Sequence, residues 1–342
     1  MSKTTITIQA DAFHLNGHPT YQNRYYHGHK VEGLLLNTRM VQATFDDLNP
    51  DTTSRWAYPD TKKWDPERNV SEFIAAMPIY RDHGVLAITL NLQGGSPEGY
   101  SKEQPWHNSA IAADGSLRPD SMDRFARILD RADELGMVII LGLFYFGQDY
   151  RVEDEDAVRR AVENAVDWLV ERNDTHVLIE VDNECNVARY THEILKPRRV
   201  HELIRHVREY STHKGQRLLV GTSYGGGTVP GGQVVAESDF VLIHGNGVTD
   251  PARIAEMVRQ TRVMTTYRPM PILCNEDDHF DFDKPWNNFL AALSEYCSWG
   301  YFDPGENDYE NGYQSVPTQW ALNTERKQSF FALAKEISGY AQ

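Results

Sequence analysis

The sequence predicts an α/β chain closed into a (β/α)8 barrel, a TIM barrel, with a short β-hairpin ahead of the first strand. Three observations carry this. Eight strand-like segments alternate with eight helix-like ones along the 342 residues. The strands are continuously apolar rather than alternating, the mark of a parallel sheet covered on both faces. No Gly-rich phosphate loop follows an early strand, as an open doubly wound sheet would want. There is no Pro/Gly/Ser linker, short repeat or low-complexity tract, so one domain is expected over 1–342, with about 1–30 as a hairpin extension.

The elements read as follows. "GLLLNTRMV" (33–41) is the first strand, followed by a helix at 70–84; "VLAITLNL" (85–92) is the second, with a helix at 121–136. In that helix Phe125, Ile128, Leu129, Ala132 and Leu135 keep a 3.6-residue period, and Gly136 sits where a C-cap belongs. "MVIILGLFYF" (137–146) precedes a helix at 154–172, and "HVLIEVDNEC" (176–185) one at 199–211. "RLLVGTSY" (217–224) is followed by a short helical stretch near 232–238, and "DFVLIHGNG" (239–247) by a helix at 251–266. "PILCNEDD" (271–278) leads to 286–297, and the weaker "SWGYFD" (298–303) to the closing helix at 324–339. "ADAFHLNGHPTYQN" (10–23), with its Asn-Gly turn, is a hairpin outside the barrel that would close its bottom.

Composition narrows the partners. A net charge of -15, from 34 basic and 49 acidic residues, argues against nucleic acid or an anionic membrane. No apolar run is long enough to span a bilayer, and no apolar leader opens the chain, so a cytoplasmic protein is expected, or a secreted one if a signal has been removed. The three cysteines, Cys185, Cys274 and Cys297, lack metal-ligand spacing and read as small core residues in a reducing compartment. Seven Trp and 17 Tyr offer stacking surfaces for a ligand.

The fourth strand poses the functional question. It is built to be buried, yet it carries Glu180, Asp182 and Glu184, and a buried carboxylate costs several kcal/mol unless paired or used. In a barrel of this kind chemistry lies at the C-terminal strand ends. Those ends read Arg39; Asn91 and Gln93; Tyr145 and Gln148; Asn183 and Glu184; Ser223 and Tyr224; His244 and Asn246; Glu276 and Asp277; and Trp299. Glu184 and Glu276 can face each other across the pocket, which is the equipment of glycoside hydrolysis. An amide beside the acid, Asn183, suits the 2-hydroxyl of a sugar. The plainer alternative is that either Glu pairs with a buried Arg or caps a helix.

"LIEVDNEC" resembles the fourth-strand signature of the clan-A glycoside hydrolases, the superfamily of the cellulase-like family 5, where the pattern runs apolar-Glu-apolar-x-Asn-Glu-Pro. The resemblance implies Glu184 as acid/base, Asn183 as its sugar-binding neighbour and Glu180 as a structural carboxylate. "PILCNE" resembles the seventh-strand pattern ending in the nucleophile, hence Glu276, and Trp299 matches the eighth-strand Trp under the bound sugar. "FHLNGHPTY" resembles the stretch before the first strand. Four positions depart from family 5: Cys185 stands for Pro, the sixth strand has His244-Gly-Asn246 for His-x-Tyr, the third-strand His is missing, and Arg39 on the first strand is the candidate for an Arg expected on the second. A divergent member of the clan is therefore expected.

These readings converge on a retaining glycoside hydrolase acting by double displacement on an oligosaccharide or small glycoside, with no cofactor and no metal. Glu276 is the expected nucleophile and Glu184 the acid/base, with Glu184 raised in pKa and Glu276 ionised. Asn183, His244, Trp299, Tyr224, Asn246, Arg39, Asn91, Gln148 and Asp277 are the expected sugar contacts. Two alternatives stay open: a metal-dependent sugar isomerase or lyase, for which "CNEDDHFDFD" with His279 offers ligand types, and a non-catalytic carbohydrate-binding barrel. "TSYGGGTVPGG" (222–232) reads as a rim loop, not a phosphate cradle. The long loops at 42–69, 93–120 and 303–323 carry Trp56, Tyr58, Trp64, Trp106 and Trp320, and would turn the site into a pocket suited to exo action if they fold over it.

Overall fold

The computed structural model describes residues 4–99, 101, 103–305 and 311–340. Its N-terminal strands β1 (Ile6–Gln9), β2 (Ala12–Leu15) and β3 (His18–Pro19) form an antiparallel sheet, and β4 (Tyr25–Tyr26) pairs with β5 (His29–Lys30). The barrel follows as β6 (Asn37–Arg39), β7 (Ala87–Asn91), β8 (Val138–Tyr145), β9 (Val177–Asn183), β10 (Leu219–Gly221), β11 (Val241–His244), β12 (Ile272–Glu276) and β13 (Gly300–Tyr301). The helices after them are α1 (Pro66–Asp82), α2 (Pro119–Leu135), α3 (Glu155–Arg172), α4 (Val200–His213), α5 (Gly232–Glu237), α6 (Pro251–Arg262), α7 (Asn288–Ser294) and α8 (Glu325–Ser338). Every expected strand–helix unit is present. Gly136 caps α2 in the left-handed region at φ 64°.

The strands run parallel in the order β10-β9-β8-β7-β6-β13, and β11 pairs separately with β12. Parallel bridges Leu273–Ser298 and Asp277–Tyr301 join β12 to β13. On the other side the Asp239 N–H reaches the Val220 carbonyl at 2.8 Å, and Gly221 lies so near the Phe240 carbonyl that a Cβ would sit 2.6 Å from it. The first and eighth strands are shorter than their apolar runs. The reason is that part of their pairing goes through a side chain, with the Leu35 N–H donating to Ser298 Oγ at 2.8 Å.

Inside the barrel the chemistry changes with height. The lower layer is apolar: Leu35, Leu86, Val138, Ile140, Leu178, Phe240, Leu242 and Leu273 pack with Phe13 of the N-terminal sheet. Phe13 is fully buried, its ring 6.3 Å from that of Phe240, so the hairpin plugs the barrel floor. Its turn works because Asn16 and Gly17 take φ of 52° and 83°, as a two-residue hairpin loop requires. Above that layer the interior becomes polar, with Asn37, Thr89, Glu180 and Asn275 all buried. Gly142 and Gly300 make room here, since a Cβ on either would run into the amide of Asn91 or Asn37.

The loops after the first, second and eighth strands are bound to one another. Phe45, Trp56 and Trp106 form a cluster of their own, with Trp64 and Val316 against it. Asp47 staples two of the loops, accepting from Trp56 Nε1 at 2.7 Å and from the His107 N–H at 2.8 Å. Trp320 is buried against Phe73 and Tyr313. These tryptophans fasten the loops rather than offer stacking faces. The last loop is held by Lys327 of α8, which is fully buried, donates to the Gln319 carbonyl at 2.7 Å and to Asn323 Oδ1 at 2.8 Å, and lies over the Tyr313 ring. No helix among the described residues is long and apolar enough to cross a membrane.

Two outcomes follow from this packing. Phe13→Ala removes the floor of the barrel and should cost about 3–5 kcal/mol, read as a lower midpoint in urea denaturation. Burial pushes the Lys327 pKa down to about 8, so the unfolded chain binds more protons between there and the ordinary lysine value, and stability should rise with pH across that window. Wild type should therefore gain thermal stability relative to Lys327→Gln as the pH is raised through this range, and a parallel pair of curves would contradict the burial penalty.

Candidate active site

Glu184 stands just past β9 at φ 54°, a left-handed backbone that costs a non-glycine residue roughly 1–3 kcal/mol. Neighbouring bonds hold the turn: the Glu184 N–H donates to Ser223 Oγ at 2.8 Å and the Cys185 N–H to the Ser223 carbonyl at 3.0 Å. A proline at 185 would have no N–H for the second bond, which accounts for the cysteine there. Tyr190 adds a third tie, its hydroxyl donating to the Asn183 carbonyl at 2.6 Å. The strained turn aims the Glu184 side chain across the barrel mouth.

Glu276 ends β12 on the opposite side. Asn246 Nδ2 donates to its Oε1 at 2.6 Å, and Arg39 Nε lies 2.9 Å from its Oε2. Asn246 thus occupies the position that the resembled pattern gives to a Tyr, and Arg39 reaches the nucleophile position from the first strand. Behind Arg39, the Asn91 amide satisfies its neighbours when its oxygen is turned toward Arg39 Nη2, 3.3 Å away, and its NH2 toward the Leu90 carbonyl. His244 sits between the two carboxylates, with Nδ1 3.0 Å from Glu184 Oε1 and 3.6 Å from Glu276 Oε2. Its Nε2 meets Asn275 Oδ1 at 3.1 Å, and Asn275 Nδ2 donates to Glu180 Oε2 at 3.1 Å. One atom each from Glu184, His244 and Glu276 lies within 4.8 Å of the others.

This trio is the one group of three such side chains among the described residues with ligand-like spacing; Asp277, Asp278 and His279 do not assemble one. Both ring nitrogens of His244 face acceptors, and Arg39 lies beside Glu276. Asn183 Oδ1, Arg39 Nη1, Asn246 Oδ1 and Glu276 Oε2 are buried without a hydrogen-bond partner in the protein, so each is open to water or a ligand.

The titration order differs from the sequence expectation. Burial raises Glu184, but the His244 hydrogen bond and charge, with Arg39 and the Gly226 N–H, outweigh it and hold the carboxyl below its ordinary value. Burial raises Glu276, and Arg39, His244 and Asn246 offset only part of that, so it stays above its ordinary value. Two differences separate them: Glu276 is the more deeply buried, and His244 bonds Glu184 rather than Glu276. Asp182, the third carboxyl group of the fourth-strand segment, is pushed well up by burial and is tied to Thr222.

Four expected sugar contacts lie outside this cluster. Gly300 faces the barrel axis, so the pleat turns Trp299 outward, where it is fully buried and stacked on Phe289 with centroids 4.8 Å apart. The next inward position on that strand is Phe302, which belongs to none of the apolar clusters. Asp277 also points out, accepting from Trp299 Nε1 at 2.9 Å and Asn288 Nδ2 at 3.0 Å. Tyr224 packs in the outer core, its hydroxyl bonded to the Cys185 thiol and the Gly231 N–H. Gln148 is spent on the second loop, accepting from the Asn108 N–H at 3.1 Å and donating to the Trp106 carbonyl at 3.1 Å.

Tyr145 and Asn275 belong to the site although neither was among the expected contacts. Tyr145 ends β8 and is raised in pKa first by burial and then by the nearby charges of Glu276 and Glu184, with Arg39 opposing. Its signal was its strand-end position. The Ser96 N–H reaches its hydroxyl, and Gln314 donates to the Ser96 carbonyl, so the second and eighth loops abut the site here. On the other side Asn186, Gly226 and Gly247 are exposed. The opening therefore lies beside the fourth, fifth and sixth strands.

No family model matches the sequence, and no curated protein matches it. Solved structures do. A glycoside hydrolase family 5 enzyme from Prevotella bryantii superposes with a TM-score of 0.57 at 13% identity, covering 89% of this chain and 96% of that one. A Bacteroidetes-affiliated family 5 cellulase gives 0.56 at 10% identity, with 89% and 91% covered. An endo-1,4-beta-mannanase from Rhizomucor miehei gives 0.54 at 11%, with 87% and 89% covered. With nearly the whole of each chain aligned, the protein has the (β/α)8 fold on which these clan-A glycoside hydrolases are built.

Proposed function

We propose that the protein is a retaining glycoside hydrolase that removes terminal units from an oligosaccharide or small glycoside. The observation that carries this reading is the facing pair: one carboxylate oxygen of Glu184 lies within 4.8 Å of one of Glu276 at the C-terminal strand ends. Retaining enzymes hold their two carboxyl groups about 5 to 5.5 Å apart, whereas inverting ones leave about 6.5 to 9.5 Å for a water. Glu276 attacks the anomeric carbon while Glu184 protonates the departing oxygen. Glu184 then takes a proton from water, which attacks the same carbon and releases Glu276.

Arg39 and Asn246 keep Glu276 aimed, and the unpartnered atoms of Asn183, Arg39 and Asn246 are donors and acceptors for sugar hydroxyls. The joined loops after the first, second and eighth strands support a pocket closed on one side, hence exo action. Three buried free thiols, Cys185, Cys274 and Cys297, agree with a reducing, cytoplasmic setting. The fold neighbours include a mannanase, a cellulase and a beta-glucosidase, which makes β-glycosides the first substrates to try.

Aryl α- and β-glycosides should be assayed with and without EDTA, together with Glu276→Gln. Activity on one sugar should survive EDTA and fall at least about a thousandfold in the variant, and the first-formed product should keep its anomeric configuration by proton NMR. An inverted product sinks the double displacement; a variant that keeps its rate sinks the assignment of Glu276. Trp299→Phe should lower the melting temperature yet change KM by less than about threefold, because the ring packs in the shell and not under the sugar.

A further inference from the structure

Beneath the two catalytic carboxylates the barrel carries a linear chain of buried polar groups. It runs from Glu180 through Asn275 to His244, with both links at 3.1 Å, and ends at Nδ1 between Glu184 and Glu276. Glu180, Asn275 and His244 are each fully buried, so none of the first two touches substrate. We propose that Glu180 and Asn275 are positioning residues that hold His244 as an imidazolium whose Nδ1–H can be passed between Glu184 and Glu276. The catalytic meaning rests on the glycosidase reading; the state of His244 does not.

Three arguments support it. The first is orientation. Asn275 offers its oxygen to His244 because its NH2 is committed to Glu180 Oε2, so Nε2 must be the donor; Nδ1 then also faces only acceptors, and the ring satisfies every neighbour when doubly protonated. The second is charge. The groups facing His244 are Glu180 and Glu184 from the fourth strand, Glu276 from the seventh, Arg39 from the first and Tyr145 from the third. Three carboxylates against Arg39 and His244 leave one negative charge, and one further proton makes the cluster neutral. In a low-dielectric interior neutrality is strongly favoured, and that single proton is the one an acid catalyst needs. Glu180 Oε1, which lacks a hydrogen-bond partner, lies 3.9 Å from His244 Nε2, so the imidazolium also compensates a carboxylate that would otherwise be stranded.

The third argument is distance. In the resting chain the Nδ1–H sits on Glu184 at 3.0 Å, with Glu276 Oε2 at 3.6 Å. A sub-ångström change moves the same hydrogen bond to Glu276. That transfer stabilises the Glu276 carboxylate and withdraws support from the Glu184 one, so the remaining proton favours Glu184. The result is an ionised nucleophile and a protonated acid, the order hydrolysis requires and the reverse of the resting order. When Glu276 becomes the glycosyl ester it loses its charge, the N–H returns to Glu184, and Glu184 becomes the base for water. No proton leaves His244 in this cycle.

Nitrogen-15 NMR of histidine-labelled protein tests it without any substrate. In wild type both His244 ring nitrogens should be protonated at neutral pH. Glu180→Gln and Asn275→Leu should each move the protonation equilibrium at least tenfold toward the neutral ring, and Asn275→Asp, which keeps the acceptor, should restore the imidazolium. If Asn275→Leu fails to fold, Glu180→Gln decides alone. A neutral His244 in wild type, or a titration indifferent to Glu180→Gln, overturns the proposal. On an active aryl glycoside the two variants should lower kcat and shift the pH profile with KM little changed, whereas a merely structural role would leave the profile in place. A His244 that behaves as expected in a protein without glycosidase activity would refute the function and leave this chain of contacts standing.

Discussion

Everything in the upper half of this barrel depends on balancing buried negative charge. Glu180, Glu184 and Glu276 are brought together where water is scarce, with Arg39 and His244 as the groups among them that can carry positive charge. Removing a carboxylate from water costs several kcal/mol, and no single ion pair repays that for all three. The solution is a network in which each cation serves more than one acid. Arg39 contacts Glu276 and feels Glu180 and Glu184; His244 stands between all three. Counted as three carboxylates against two cations, the cluster has room for one further proton, the one the proposed mechanism uses.

The rest of the fold keeps that network dry and rigid. Phe13 and the apolar layer beneath it close the floor, so polar groups higher up cannot be solvated from below. Gly142 and Gly300 leave the space in which Asn91 and Asn37 lie across the axis. The aromatic cluster of Phe45, Trp56 and Trp106 fastens the loops whose neighbours reach Tyr145. A rigid surround is needed because the proposed shift of the His244 hydrogen bond turns on a difference between 3.0 and 3.6 Å, and the left-handed Glu184 carries its strain beside that bond.

The pattern of contacts at strand ends carries a general caution. Position along a strand says which residues are near the mouth, but the pleat decides which of them face it. Glu184, Glu276, His244, Asn246 and Arg39 converge. Trp299 and Asp277, equally well placed by number, turn outward and bond each other. Tyr224 and Gln148 are consumed in holding the acid turn and the second loop. The Asn-Glu dipeptide occurs twice and does different work each time. Asn183 stands beside a left-handed turn with a free oxygen, whereas Asn275 points down the axis to Glu180.

By itself the sequence determined the barrel, its eight units and the two carboxylates, because these rest on local facts: apolar runs, helical period, caps, and a Glu at the end of a buried strand. The hairpin plug was also readable from its Asn-Gly turn. What only the tertiary structure decided is the direction of each strand-end side chain, the partner of Arg39, the bond of Asn246 to Glu276 and the choice of His244 for Glu184. These depend on register and pleat among strands far apart in the chain, where a shift of one residue reverses the side a residue faces. The proton balance between the two carboxylates was beyond the chain for the same reason: it depends on distances of 3.0 and 3.6 Å between residues 60 and 32 positions apart.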